Sequence, residues 1–153
     1  MRKRLLTLVI LMLANSNTAI AEANDSSCQM PNGFERYSWI EPSNISADLD
    51  GDGLPDAALL IRQTKSKKQG ILICATTSKL PFVVGAGTDF GNGGDNFDWM
   101  NIWELLPKSP AVARHDPNNR MAKQNQLHVG VDGGAGGHIY FEGGKFYWEQ
   151  AGE

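Results

Sequence analysis

The chain has 153 residues, with 14 Lys+Arg against 17 Asp+Glu and a formal net charge of −3. That length suits a single domain. The acidic balance argues against nucleic acid as a partner, because its phosphates would be repelled.

Residues 1–21 read as an export signal. Arg2, Lys3 and Arg4 form a basic start, Leu5 to Leu13 an apolar run, and Ala19-Ile20-Ala21 a small-residue cleavage site. The apolar run is well short of the roughly 18–20 residues that span a bilayer, so no membrane anchor is expected after cleavage. The pattern predicts Sec-type export, cleavage after Ala21, and a periplasmic or secreted product. Residues 22–153 then form one β-rich domain of 132 residues. Removing three basic residues leaves 11 Lys+Arg against 17 Asp+Glu, a net charge of −6.

Cys28 and Cys74 are the only cysteines. In an oxidising compartment an even pair closes, so a structural disulfide is expected. Two free thiols would lack the nearby base that a nucleophile needs. Chain-entropy arithmetic gives such a loop about 4 kcal/mol. Between Phe34 and Ile45 the pattern is mixed; Tyr37, Trp39 and Ile40 suggest a short strand.

Next comes Asp48-Leu49-Asp50-Gly51-Asp52-Gly53-Leu54-Pro55-Asp56. Carboxylates at alternate positions, then a Gly, then a further carboxylate, match a loop that wraps a hard cation. Ca²⁺ takes six to eight oxygens at roughly 2.3–2.6 Å. Asp48, Asp50 and Asp52 would supply ligands from positions 1, 3 and 5. The carbonyl of Leu54 would act from position 7, and Asp56 from position 9, directly or through water. Gly53 falls at position 6, where the backbone turns sharply. The competing reading is a solvated acidic turn with no ion.

A helix–loop–helix calcium site needs a bidentate Glu at position 12, and this chain has Leu59 there. After the loop comes the short apolar run Ala57-Ala58-Leu59-Leu60-Ile61, which fits a buried strand. Over Asp48 to Ile61 the chain therefore resembles the D-x-D-x-D-G-x-x-D loops of FG-GAP and VCBS-type repeats, in which a strand succeeds the metal loop. A single copy without a repeat period does not imply their propeller. The resemblance implies a Ca²⁺ loop only.

Ala57–Ile61 and Ile71–Ala75, joined by the polar turn Thr64–Gly70, read as a hairpin. Lys65, Lys67 and Lys68 sit at its tip and read as solvated. Pro81 opens a third strand through Gly85, a position that suits proline. Gly85 to Asp98 is rich in Gly, Asn and Asp and reads as a loop. Asp89, Asp95 and Asp98 lie in it as a candidate second cation group, though their spacing matches no ligand template. In Trp99–Leu106, alternation places Trp99, Trp103 and Leu105 on one face, whereas helical spacing would pair Trp99 with Trp103 and Ile102 with Leu106; strand is slightly preferred. Residues 107–125 form a long polar excursion that includes His115, read as a surface residue; a partner contact would suit a loop of this length.

Leu127, Val129 and Val131 alternate with polar or small residues. Ile139–Phe141 and Phe146–Trp148 flank Glu142-Gly143-Gly144-Lys145, a hairpin signal. Asp132–Gly137 reads as a turn, since a phosphate loop needs a helix behind it. If that turn closes symmetrically, His138 opposes Val131, and His128 and His138 do not face each other. On that reading a two-histidine metal site is not expected.

The expected fold class is therefore mainly β: antiparallel hairpins forming a small twisted sheet or sandwich, with one disulfide and a calcium loop. No catalytic fingerprint is present. Scattered Glu35, Glu41, Glu104, Glu142 and Glu149 leave a hydrolase as a residual alternative. Through Ala47–Ile61, Gly87–Trp99 and Phe141–Trp148 the chain also resembles small exported bacterial proteins of unassigned role, from which no activity carries over. The leading expectation is a non-catalytic exported domain with structural Ca²⁺. The alternative from another class is a periplasmic inhibitor or immunity protein, its aromatic residues anchoring a protein partner.

Overall fold

A computed structural model describes residues 28–109 and 123–151. The segment read as an export signal and most of the polar excursion, His115 included, lie outside them. Among the described residues the chain is built from strands β1 (Phe34–Arg36), β2 (Asn44–Ala47), β3 (Asp56–Gln63), β4 (Gln69–Cys74), β5 (Phe82–Gly85), β6 (Ile102–Leu106), β7 (Gln126–Gly130), β8 (Gly136–Glu142) and β9 (Lys145–Ala151). A short 3₁₀ turn at Gly91–Gly93 interrupts the β5–β6 connection. The fold is mainly β and every strand pair is antiparallel.

Two sheets result. The first runs β1-β3-β4-β5, with β2 also pairing β3. β1 covers the end of β3, Phe34 opposite Gln63, while β2 covers its beginning, Ala47 opposite Asp56. The two short strands thus share one edge of the sheet. The second sheet is the meander β6-β7-β8-β9.

Period-two alternation explains the layers. Ala58, Leu60, Ile71 and Ile73 point from the first sheet into a core shared with Trp103, Leu127, Val129, Ile139 and Phe146 of the second. The sheets therefore pack as a sandwich. Each fully buried Leu or Ile in that layer contributes about 1.5–3 kcal/mol. Leu59, Ile61 and Leu72 face the other way, and Cys28, Met30 and Phe34 pack over them. A Cys28–Cys74 disulfide, Cα atoms 5.5 Å apart, pins that cover to the end of β4. Covered on both faces, β3 and β4 read as continuous apolar runs.

Two sequence expectations are corrected. Tyr37, Trp39 and Ile40 do not form a strand; they lie in the crossing between β1 and β2. Aromatic side chains nonetheless serve the join between the sheets. The indole N–H of Trp39 donates to the Met100 carbonyl at 3.2 Å, and that of Trp103 to the Pro42 carbonyl at 2.7 Å.

The second correction concerns register. His128 and His138 do face each other, directly paired across β7 and β8, with ring centroids 5.3 Å apart. The turn is not the symmetrical six-residue loop: the Val131 N–H already meets the Ala135 carbonyl, and Gly136 and Gly137 belong to β8. Those two glycines are strand residues because other groups lie too close for a side chain. A Cβ on Gly137 would come within 2.1 Å of the Trp148 ring, and one on Gly136 within 2.7 Å of the Val129 carbonyl.

Candidate metal centre

The ends of β2 and β4 and the start of β3 meet at one end of the first sheet. The acidic loop leaves β2 there and returns into β3. Asp56 is the first residue of β3 and is only 1% exposed. Its Oδ2 accepts the N–H groups of Leu49 at 2.8 Å and Asp50 at 3.1 Å. Its Oδ1 accepts the N–H of Thr76 at 2.8 Å, just beyond β4. One carboxylate thereby ties the loop to two strands.

The other carboxylates fold the loop onto itself. Asp48 Oδ1 accepts the Gly51 N–H at 2.7 Å, Asp50 Oδ1 the Asp52 N–H at 3.1 Å, and Asp52 Oδ1 the Leu54 N–H at 2.7 Å. Gly51 and Gly53 hold φ of +85° and +88°, the left-handed region that glycine enters without penalty. A Cβ on Gly53 would meet nothing within 4 Å, so that glycine is there for backbone freedom, not space. Asp50, 9% exposed, also receives the Thr77 hydroxyl at 2.5 Å on Oδ2.

Asp48, Asp50 and Asp56 each bring one carboxylate oxygen within 4.8 Å of the others. Three of the four predicted carboxylates thus converge on a point that can hold a metal ion. Asp52 stands aside: it is exposed, and its Oδ2 takes the Thr76 hydroxyl at 2.5 Å. Leu54 lies at the exposed tip, where its N–H is held by Asp52. Carboxylates retain lone pairs after accepting these hydrogen bonds, so the loop is braced without being saturated.

The electrostatics fit a centre that attracts positive charge. Burial raises the Asp56 carboxyl above its ordinary value; the Thr76 and Leu49 N–H groups oppose this, and the charge of Asp50 adds to it. The Thr76 hydroxyl, with the Leu54 N–H, holds exposed Asp52 below the usual range. Lys108 brings its Nζ to 3.8 Å from Asp48 Oδ2. Behind the loop the Asn125 N–H donates to the Asp48 carbonyl at 3.2 Å.

Thr76 and Thr77 were not legible as part of the site. They lie 20 or more residues beyond the residues they touch, and only the β3–β4 register delivers them. The other acidic group does not assemble: Asp95 pairs with Lys68. Among the described residues, Asp48, Asp50 and Asp56 form the one group of three or more metal-ligating side chains with such close ligand atoms. Glu35 is drawn into an ion pair with Arg62 at 2.6 Å. No protein-family model, curated protein or solved structure matches this chain.

Proposed function

We propose that this is an exported, non-catalytic calcium-binding β-domain in which the ion is structural. The observation that carries this reading is the convergence of Asp48, Asp50 and Asp56 where β2, β3 and β4 meet. Oxygen donors alone favour Ca²⁺ over metals that prefer nitrogen or sulfur. Asp52 and the Leu54 carbonyl complete the shell with water, Asp52 turning inward from Thr76. Two of the carboxylates are already clamped by donors from neighbouring segments. That arrangement suits holding strands together better than meeting a substrate. Calorimetric titration of EDTA-treated protein tests this: saturable uptake of one equivalent that raises the melting temperature supports it. No uptake at millimolar Ca²⁺ defeats it.

A protein-binding role has one observation in its favour. Leu80, 76% exposed, and Leu54, 56% exposed, are large apolar side chains left in water. Leu80 borders an open depression of about 760 Å³ between residues 29–32 and the β4–β5 loop. A partner that docks there should lose its affinity for Leu80→Asp while Ca²⁺ uptake is unaffected.

A further inference from the structure

The outer face of the second sheet holds a row of four metal-ligating residues, one from each strand. Glu104 on β6 is opposite His128 on β7, His128 is opposite His138 on β8, and His138 is opposite Glu149 on β9. Successive antiparallel strands at matched register put all four on the same face. This row is remote in sequence from the acidic loop and differs from it in chemistry: two imidazoles flanked by two carboxylates.

We propose that this row is a second metal site, taking a borderline ion such as Zn²⁺ through His128 and His138, with a carboxylate from Glu104 or Glu149. The spacing of the imidazoles supports it. With Zn–N at roughly 2.0–2.1 Å and tetrahedral angles, two rings sharing one ion have centroids roughly 5.2 Å apart. The observed separation is 5.3 Å.

An independent observation points to a ligand. His128 Nδ1 is buried and has no hydrogen-bond partner. Buried polar atoms are normally paired, and two histidines merely packed edge to face would leave this one unexplained. Two residues along the same face of β7, Gln126 is 1% exposed, and both of its amide atoms also lack partners. The face is built to leave the ring room: a Cβ on Gly136 would lie 3.1 Å from His128 Cε1, and one on Gly130 3.3 Å from Nε2. Glycines at both positions keep the neighbouring row low.

The carboxylate must move to complete the site. Among the described residues only the aspartate triad already has three ligand atoms within 4.8 Å, so Glu104 or Glu149 swings in by a change of rotamer. Both imidazoles bind as neutral rings, and any proton they carry is released to solvent. Water fills the remaining position. Zn²⁺ suits nitrogen donors where Ca²⁺ suits the all-oxygen loop, so the two ions sort themselves between the two sites.

The test uses the full chain, stripped with EDTA and resupplied with saturating Ca²⁺. ZnCl₂ is titrated by calorimetry while the imidazole proton resonances of the three histidines are tracked by NMR. Expected is saturable uptake of one equivalent, with the His128 and His138 resonances moving together and those of His115 unmoved. His128→Ala and His138→Ala each weaken uptake by at least about 100-fold, more than loss of an outer-shell partner, while Asp50→Ala leaves it unchanged. The proposal is overturned by no saturable uptake, by shifts at His115 alone, or by uptake lost in Asp50→Ala. Should either histidine variant fail to fold, the wild-type resonances alone decide the matter.

Discussion

The hydroxyl of Thr77 donates to Asp50 Oδ2 at 2.5 Å, across 27 residues of chain. The contact fixes the orientation of a proposed ligand from outside the acidic loop. Thr77→Val keeps the shape and removes the hydroxyl donor, leaving the backbone N–H that donates to the same oxygen at 3.3 Å. It should weaken Ca²⁺ binding about tenfold to a hundredfold by calorimetry, in line with the roughly 1.5–3 kcal/mol of one hydrogen bond to a charged group. Equal affinity in the variant would show that Asp50 needs no such brace.

The four aspartates should not be equivalent. Asp50→Ala should abolish most of the Ca²⁺-induced rise in melting temperature. Asp52→Ala should weaken it less, because Asp52 lies outside the close triad and binds Thr76. For scale, a ligand at about a hundred times its Kd adds roughly 2.7 kcal/mol of stability. Identical melting shifts for the two variants would contradict this ranking.

Asp56 has a role even without an ion. Replacing it with Ala leaves the N–H groups of Leu49, Asp50 and Thr76 without their acceptor. Buried donors left unsatisfied cost about 1–3 kcal/mol each when water cannot reach them. Some of these donors lie at the loop surface, so urea denaturation of Asp56→Ala in EDTA should show a total loss of about 2–4 kcal/mol. Wild-type stability there would mean the N–H groups find water instead.

Acidity gives a further handle. Burial raises Asp56 above its ordinary value of 3.8 in the ion-free fold. A carboxyl that holds its proton more tightly when folded favours folding below its unfolded pKa, and that contribution is lost as pH rises through the folded one. In EDTA, wild type should accordingly lose stability relative to Asp56→Asn as pH rises above the ordinary Asp range. Saturating Ca²⁺ should cancel that trend, since the ion favours the ionised form. Denaturation midpoints across a pH series, with and without Ca²⁺, provide the check.

Gly137 offers a test of the second sheet. A Cβ there would stand 2.1 Å from the Trp148 ring, so Gly137→Ala must displace the indole or bend β8. Overpacking of this kind costs about 1–3 kcal/mol. A variant as stable as wild type would mean the ring relocates freely.

The hairpin of β3 and β4 was legible because two apolar runs flank a Lys- and Gly-bearing turn. The closing hairpin was legible from Gly143-Gly144, and the disulfide from two cysteines in a chain that opens like an export signal. Gly136 and Gly137 misled because a glycine selected for close packing looks the same in sequence as one selected for a turn. That single ambiguity displaced the register of His138 and concealed the histidine pair. Asp48, Asp50 and Asp56 converge as their spacing implies. The diversion of Asp52 to Thr76, by contrast, depends on a strand end that spacing cannot foresee. Likewise, nothing local in Phe34–Ala47 announces that both ends of that segment lie against the same strand.

That split edge has a consequence for how the molecule keeps to itself. An uninterrupted border strand offers a row of free amide and carbonyl groups on which another chain can template. Here the border is two short pieces separated by a crossing that contains Pro42, which has no N–H to give. The carbonyl of Pro42 is already occupied by the indole of Trp103. Among the described residues, the folded chain thus presents on this side no strand longer than four residues to which a neighbouring copy can add.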